Sequence, residues 1–126
     1  MISILIPTYN NLDYLKLCLK SLKRNSSFDH EIIIHINEGS DGTKAFVENT
    51  NFKYTYSAKN EGVCVAFNKA VKKASKKYII LAHDDMYFCP NWDKVFYSEL
   101  SKLSENSDFF LSGTMVQPFE SYINLN

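Results

Sequence analysis

The sequence predicts a single α/β domain built around a mainly parallel sheet, and three observations predict it. Short runs rich in isoleucine, leucine and tyrosine alternate with longer segments whose apolar residues recur at helical spacing. The connections are short, and most strand-like runs end in a polar or glycine-containing cluster. Apolar residues make up 45% of the 126 positions and charged residues 22%, the balance of a soluble domain that buries its own core.

Ile2 to Ile6 is an apolar run closed by Pro7 and the polar cluster Thr8-Tyr9-Asn10-Asn11, which predicts a buried strand. Leu12, Leu15, Cys18, Leu19 and Leu22 then recur as one helical stripe. Asn10 or Asn11 suits the start of this helix as a cap, Asp13 its first turn, and Lys20, Lys23 and Arg24 its last. Glu31 to Ile36 predicts a second strand and Asn37 to Gly42 a turn. Thr43 to Asn49 predicts a short helix. Phe52, Tyr54 and Tyr56 alternate with polar residues as a third strand does. Val63, Ala66, Phe67, Ala70, Val71 and Ala74 predict one helix face over 63–73. Tyr78 to Ala82 predicts a fourth strand, read as central, and Trp92 to Leu103 a further helix. Phe109 to Met115 predicts a fifth strand.

Charge and cysteine usage narrow the function classes. Lys plus Arg and Asp plus Glu both number 14, so the formal net charge is zero and gives no general attraction to nucleic acid. The basic run Lys72-Lys73-Ala74-Ser75-Lys76-Lys77 reads as a solvated helix end. Cys18, Cys64 and Cys89 are odd in number and unpaired in spacing, which argues for a reducing compartment and against a structural zinc site. Cys18 and Cys64 read as small buried hydrophobes, and His30 and His35 as structural. The opening apolar run is too short to span a bilayer and lacks signal-peptide features, so the chain reads as cytoplasmic, with a peripheral membrane location left open.

Open α/β sheets bind ligands at the carboxyl ends of their strands, so the segments after each strand carry the argument. Asp84 and Asp85 follow the fourth strand. Two adjacent carboxylates repel, and a hard cation such as Mg²⁺ or Mn²⁺ relieves that repulsion; a turn or helix cap is the plainer explanation. Tyr9 can stack on a nucleobase or be an ordinary loop tyrosine. Asn37, Glu38 and Asp41 can accept hydrogen bonds from a base or ribose, or serve the turn around Gly39 and Gly42. Asn60-Glu61-Gly62 opens a helix whose free N–H groups suit a phosphate, or is simply a capped start. No Gly-x-Gly-x-x-Gly follows the first strand and no Gly-x-x-x-x-Gly-Lys is present, which excludes the dinucleotide-binding and P-loop patterns.

Taken together, four motifs in order resemble glycosyltransferase family 2. Ile2-Ser3-Ile4-Leu5-Ile6-Pro7-Thr8-Tyr9-Asn10 resembles its opening strand and turn. Asn37-Glu38-Gly39-Ser40-Asp41-Gly42-Thr43 resembles its Asp-Asp-Gly-Ser segment, and Lys59-Asn60-Glu61-Gly62-Val63 with Asn68 its Arg-Asn-x-Gly stretch. His83-Asp84-Asp85, followed by Pro90-Asn91-Trp92-Asp93, lies where the family carries Asp-x-Asp. The resemblance implies a GT-A fold, a Rossmann-like three-layer sandwich. It implies inverting, metal-assisted transfer of a sugar from a nucleoside diphosphate sugar to the hydroxyl of a carbohydrate, lipid-linked or protein acceptor. By the same resemblance the donor lies against Pro7, Thr8, Tyr9, Asn10, Asn37, Glu38, Ser40, Asp41, Asn60, Gly62, Val63, Asn68, His83 and Asp84. Asp85, with Asp84, would hold Mn²⁺ or Mg²⁺.

Three departures qualify the match. Asn37 replaces an acid in a motif that is one residue short, His83 replaces the first aspartate of Asp-x-Asp, and nothing matches the family's acceptor-binding half with its catalytic base. Glu120, the only acid after Asp108, is no candidate for that base. Residues 1–126 are therefore expected to form a single donor-binding domain lacking the acceptor half. A module that binds nucleotide sugar without catalysing transfer is the alternative. A phosphoacceptor signalling domain fits less well, because by resemblance its acidic pair would follow the first strand, where Thr8 and Tyr9 stand. Apolar surface left by the absent half would favour self-association.

Overall fold

Parallel strands cannot be joined by tight hairpins, so each must be followed by a crossover, and the alternation in the sequence supplies those crossovers. The computed structural model describes residues 1–103 and 108–113. Its elements are β1 (Ile2–Tyr9), α1 (Leu12–Asn25), β2 (Glu31–Asn37), α2 (Thr43–Glu48), β3 (Lys53–Ser57), α3 (Val63–Ala70), β4 (Tyr78–Leu81) and α4 (Trp92–Leu100). A 3₁₀ turn over Val71–Lys73 ends α3, so the helix expected over 63–73 is α-helical only to Ala70.

The four strands form an all-parallel sheet in the order β3-β2-β1-β4. Period-two alternation sorts their side chains between two faces. Ile2, Ile4, Ile6, Ile34 and Ile36 pack with Leu15, Cys18, Leu19 and Leu22 of α1 and Val47 of α2, while Trp92 and Tyr97 of α4 lean on the same cluster. Leu5 and Ile33 on the opposite face meet Ala70, Phe67 and Ala74 of the α3 segment. Helices thus cover both faces of the sheet, giving the expected three-layer α/β sandwich.

Several expectations require correction. Among the described residues the fourth strand lies at the edge of the sheet and not at its centre: β4 pairs only with β1, and Ile79 and Leu81 are 45% and 52% exposed on the α3 face. Residues 109–113 form no strand, and the rest of the expected fifth strand lies outside the described residues. Cys64 is exposed, because it falls on the outer side of α3, whereas Cys18 is fully buried. Val63 and Val71, expected on the buried face of that helix, are more than a third exposed. His30 and His35 make structural contacts, as expected. His35 is fully buried between Thr55 and Ser57, and His30 meets Asp93.

The segment that follows β4 is fastened to α1 by side-chain bonds. Asn25 donates to the Phe88 carbonyl at 2.6 Å, and the Phe88 N–H donates to Ser21 Oγ at 3.0 Å. Trp92 donates from its indole to Ser26 Oγ at 3.1 Å and packs against Phe88 and His30. Asp93, fully buried at the start of α4, accepts the N–H groups of Ser27 and Phe28 at 2.6 and 2.9 Å and meets His30 Nε2 at 3.1 Å. Burial alone would raise its pKa, but these donors outweigh it and hold the carboxyl below its usual range.

Replacing Asp93 by Ala leaves four donors without their acceptor: the N–H groups of Ser27, Phe28 and Lys94, and His30 Nε2. Asp93→Ala is therefore expected to lower the unfolding free energy by about 3 kcal/mol, read by urea denaturation. A loss under about 0.5 kcal/mol would show that these bonds contribute little. The exposed strip of Ile79 and Leu81 on a strand edge that is unpaired among the described residues predicts self-association of the 126-residue chain at high concentration. Sedimentation velocity showing only monomer would contradict it.

Candidate functional site

The strand order reverses direction at β1. β2 and β3 lie on one side of it and β4 on the other, so the carboxyl ends of β1 and β4 border a topological switch point. The segments converging on that edge are Tyr9–Asn11, Asn37–Gly42, Ser57–Gly62 and Ala82–Asn91. They hold every sequence-predicted site residue except Pro7 and Thr8, which end β1, and Val63 and Asn68, which belong to α3.

The β1 and β2 ends are joined directly. Asn10 donates to Glu38 Oε1 at 3.3 Å and to Ser40 Oγ at 3.2 Å, and Ser40 donates to Glu38 Oε1 at 2.9 Å. Asn10 and Glu38 both have positive φ (45° and 62°), backbone conformations that non-glycine residues rarely hold without such support. Gly39, at φ 75°, leaves no choice of residue. A Cβ there would come within 2.8 Å of the Ile36 side chain and 2.9 Å of the Lys44 backbone.

Asp41 proves to be a double cap. Its Oδ2 accepts the Leu12 N–H at 2.9 Å and its Oδ1 the Thr43 N–H at 3.0 Å, so one carboxylate serves the starts of α1 and α2. Burial would raise its pKa, but these bonds draw it down. Asn11, at the N-cap of α1, makes no side-chain capping bond, so the asparagine cap expected there is replaced by an aspartate from another loop. Asn37 is also occupied: it is 3% exposed, and its Oδ1 accepts the Glu61 N–H at 3.1 Å. The Asn60 side chain accepts the Gly62 N–H at 2.9 Å in the turn before α3. Asn68 is exposed on α3, more than a turn beyond Gly62.

Other predicted residues keep unspent polar atoms or open faces. Tyr9 is 48% exposed at the end of β1. The Thr8 hydroxyl and the Asn10 carbonyl oxygen are buried without a partner among the described residues. Val63 is exposed at the first turn of α3, and the exposed His83 stacks edge-on with Phe67 of that helix, 6.0 Å between centroids. Asp84 is half-buried and Asp85 exposed, and among the described residues neither carboxylate has a hydrogen-bond or ion-pair partner. Cys18 lies beneath them and donates to the His83 carbonyl at 3.6 Å. Burial, reinforced by the negative charges of Asp84 and Asp85, pushes its thiol up to about 12, so Cys18 stays a neutral floor and supplies no thiolate.

Among the described residues no group of three or more His, Cys, Asp and Glu side chains forms a metal cage. The pair Asp84 and Asp85 fits a more open kind of coordination, in which one or two carboxylates hold a hard cation whose remaining positions go to water and ligand phosphates. Two adjacent, partnerless acids at a switch point have the chemistry for that role.

The sequence pattern of the family described as Glycosyl transferase family 2 matches residues 3–111. The chain belongs to this family. The glycosyltransferase YwdF of Bacillus subtilis, itself uncharacterised, is 33% identical over 122 residues, covering 94% of this chain and 44% of that protein. The uncharacterised glycosyltransferase RP339 of Rickettsia prowazekii is 34% identical over 111 residues, covering 86% and 34%. The chain therefore spans less than half the length of these relatives. Residues 1–349 of S. aureus TarS in complex with UDP superpose with a TM-score of 0.71 at 24% identity, covering 80% of this chain and 32% of that one. A mannosyltransferase of Pyrobaculum calidifontis in complex with GDP-Man and Mn²⁺ gives 0.62 at 18% identity, covering 75% and 30%. These likenesses establish the GT-A fold of the family 2 chain.

One signal for Asp41's capping role is present in the sequence, its place two residues before the short helix at Thr43, but nothing local marks its bond to Leu12. Asp41→Ala removes two helix caps at once and is expected to cost about 2 kcal/mol of stability, measured by thermal unfolding. A cost no larger than an ordinary exposed substitution would show that water replaces the carboxylate.

Proposed function

We propose that this family 2 chain binds a nucleoside diphosphate sugar at the β1–β4 switch point and contributes the donor half of an inverting, metal-assisted glycosyl transfer. The observation that carries the reading is the partnerless pair Asp84 and Asp85, beside loops whose other polar groups are largely held in place by one another. The donor class is supported by structural neighbours whose complexes contain UDP or GDP-Man, and the family match supports glycosyl transfer as the reaction.

In this reading Pro7, Thr8 and Tyr9 line one side of the nucleobase, with the exposed Tyr9 ring stacking on it. Glu38, fixed by Asn10 and Ser40, offers its carboxylate to donors on the base or ribose. His83 and Asp84 lie toward the ribose, and the first turn of α3 after Gly62 presents free N–H groups toward the phosphates. Asp85 and Asp84 would hold Mn²⁺ or Mg²⁺, which supplies positive charge to the diphosphate leaving group when bound. Deprotonation of the acceptor hydroxyl falls to a base outside the described residues.

Calorimetric titration with UDP, GDP, dTDP and CDP, each with Mn²⁺ and with EDTA, tests this. Binding of one nucleotide only in the presence of metal is expected, and Asp85→Ala is expected to weaken it by at least about tenfold. Unchanged affinity in that variant removes the metal assignment. Failure of all four nucleotides to bind a folded chain removes the donor site. Where binding is found, formation of a glycosylated product separates an enzyme from a binding module.

A further inference from the structure

The groups that hold the nucleotide loop in place belong to a polar chain running behind it. His35, fully buried in β2, meets Thr55 Oγ1 through Nδ1 at 2.7 Å and Ser57 Oγ through Nε2 at 3.2 Å. The Ser57 hydroxyl donates to Glu61, and Lys69 of α3 reaches Ser57 Oγ at 2.8 Å while pairing with Glu61. A hydroxyl has one proton and two lone pairs, so these contacts have one consistent assignment. Ser57 gives its proton to Glu61 and accepts from Lys69 and from His35 Nε2–H. His35 Nδ1 then accepts the Thr55 hydroxyl proton. Burial lowers the His35 pKa, which favours the neutral ring this assignment needs.

Two adjacent members of this network, Ser57 and Glu61, reach the predicted nucleotide loop. The Glu61 N–H is held by Asn37 Oδ1 at 3.1 Å, and the Glu38 N–H donates to the Ser57 carbonyl at 2.8 Å. Glu38 sits at positive φ, so its carboxylate keeps its direction only while both neighbouring segments keep their places.

We infer that Lys69, acting through Ser57 and Glu61, is a positioning residue that sets the Asn37–Glu38 segment for nucleotide binding. This rests on the donor-site reading above. Lys69 has its hydrogen bonds with Ser57 and Glu61, and its effect on that segment runs through them. Removing its ammonium leaves the Glu61 carboxylate without its cation and a Ser57 lone pair unfilled, and the loop relaxes.

A double-mutant cycle read by nucleotide titration separates this role from general destabilisation. Lys69→Met is expected to weaken binding about tenfold in the native background and less than about twofold in a Glu38→Ala background, because both changes disable the same contact. Lys69→Arg, which keeps the charge, is expected to restore binding to within about twofold of the native chain. Equal losses in both backgrounds, or native affinity in Lys69→Met, would overturn the inference. If Lys69→Met does not fold by circular dichroism, Ser57→Ala replaces it in the same cycle with the same expected outcomes. Absence of nucleotide binding by the native chain would sink the donor reading and this inference together. Native binding left unchanged by Lys69→Met sinks this inference alone.

Discussion

Everything at the candidate site depends on the parallel pairing of four strands. Because β1 to β4 all run the same way, every strand-to-helix connection leaves the sheet at one edge and every return connection arrives at the other. Four chain segments, widely separated in sequence, must therefore share a small area. They carry asparagines, aspartates and glutamates that would be costly to bury alone, and crowding lets each satisfy another. Asp41 closes the starts of two helices, Asn37 takes the Glu61 N–H, and Asn10 and Ser40 hold Glu38. The scaffold thus uses up most polar atoms of the edge, and those it leaves are the ones a ligand can address.

Seen from that edge, legibility in the sequence divides cleanly. The strand-helix alternation is readable because it is a local periodicity, and the motifs at the strand ends are readable because each is a short contiguous string. What each motif residue does is not. In the sequence Asp41 reads as a turn residue or a ribose acceptor, and its bond to Leu12 spans 29 positions. Asn37 reads as a ligand contact, yet its carbonyl is turned to Glu61, 24 positions away. Nothing in the sequence marks Lys69, because its serine and carboxylate partners are neighbours only after α3 folds back over β2 and β3. Sheet order is equally hidden. The apolar run Tyr78–Leu81 reads as buried on both faces, but on the α3 side its alternate residues Ile79 and Leu81 remain open. Apolar content alone does not distinguish a covered strand from one whose cover lies elsewhere.

Charge placement gives the edge its chemical character. The chain is neutral overall, but its charges are segregated. Glu38, Asp41, Glu61, Asp84 and Asp85 gather where the strands end, with Lys59 among them and Lys69 paired to Glu61, while Lys72, Lys73, Lys76 and Lys77 follow α3 at the opposite edge, next to the start of β4. The acids there that have donors are already engaged: Asp41 caps two helices, Glu38 accepts from Asn10 and Ser40, and Glu61 accepts from Ser57 and Lys69, which leaves Asp84 and Asp85. Cys18 beneath the aspartates remains protonated and offers no compensation of either sign.

In the donor-site reading proposed above, a cation arriving with the ligand or before it would favour anion binding at such an edge. Two carboxylates are too few to hold a hard divalent ion firmly, and a diphosphate alone would be repelled by them, so in that reading each would lower the cost of binding the other. Coupling of that kind is reciprocal: whatever factor the metal adds to nucleotide affinity, the nucleotide adds to metal affinity. In the proposed reading, His83 in place of the acid that the family motif carries would sharpen the dependence. It would leave one negative charge fewer for a metal held by Asp84 and Asp85 in the proposed site. The weakness of the acid pair as a metal cage is thus compatible with a donor site in which metal and nucleotide are bound only as a unit.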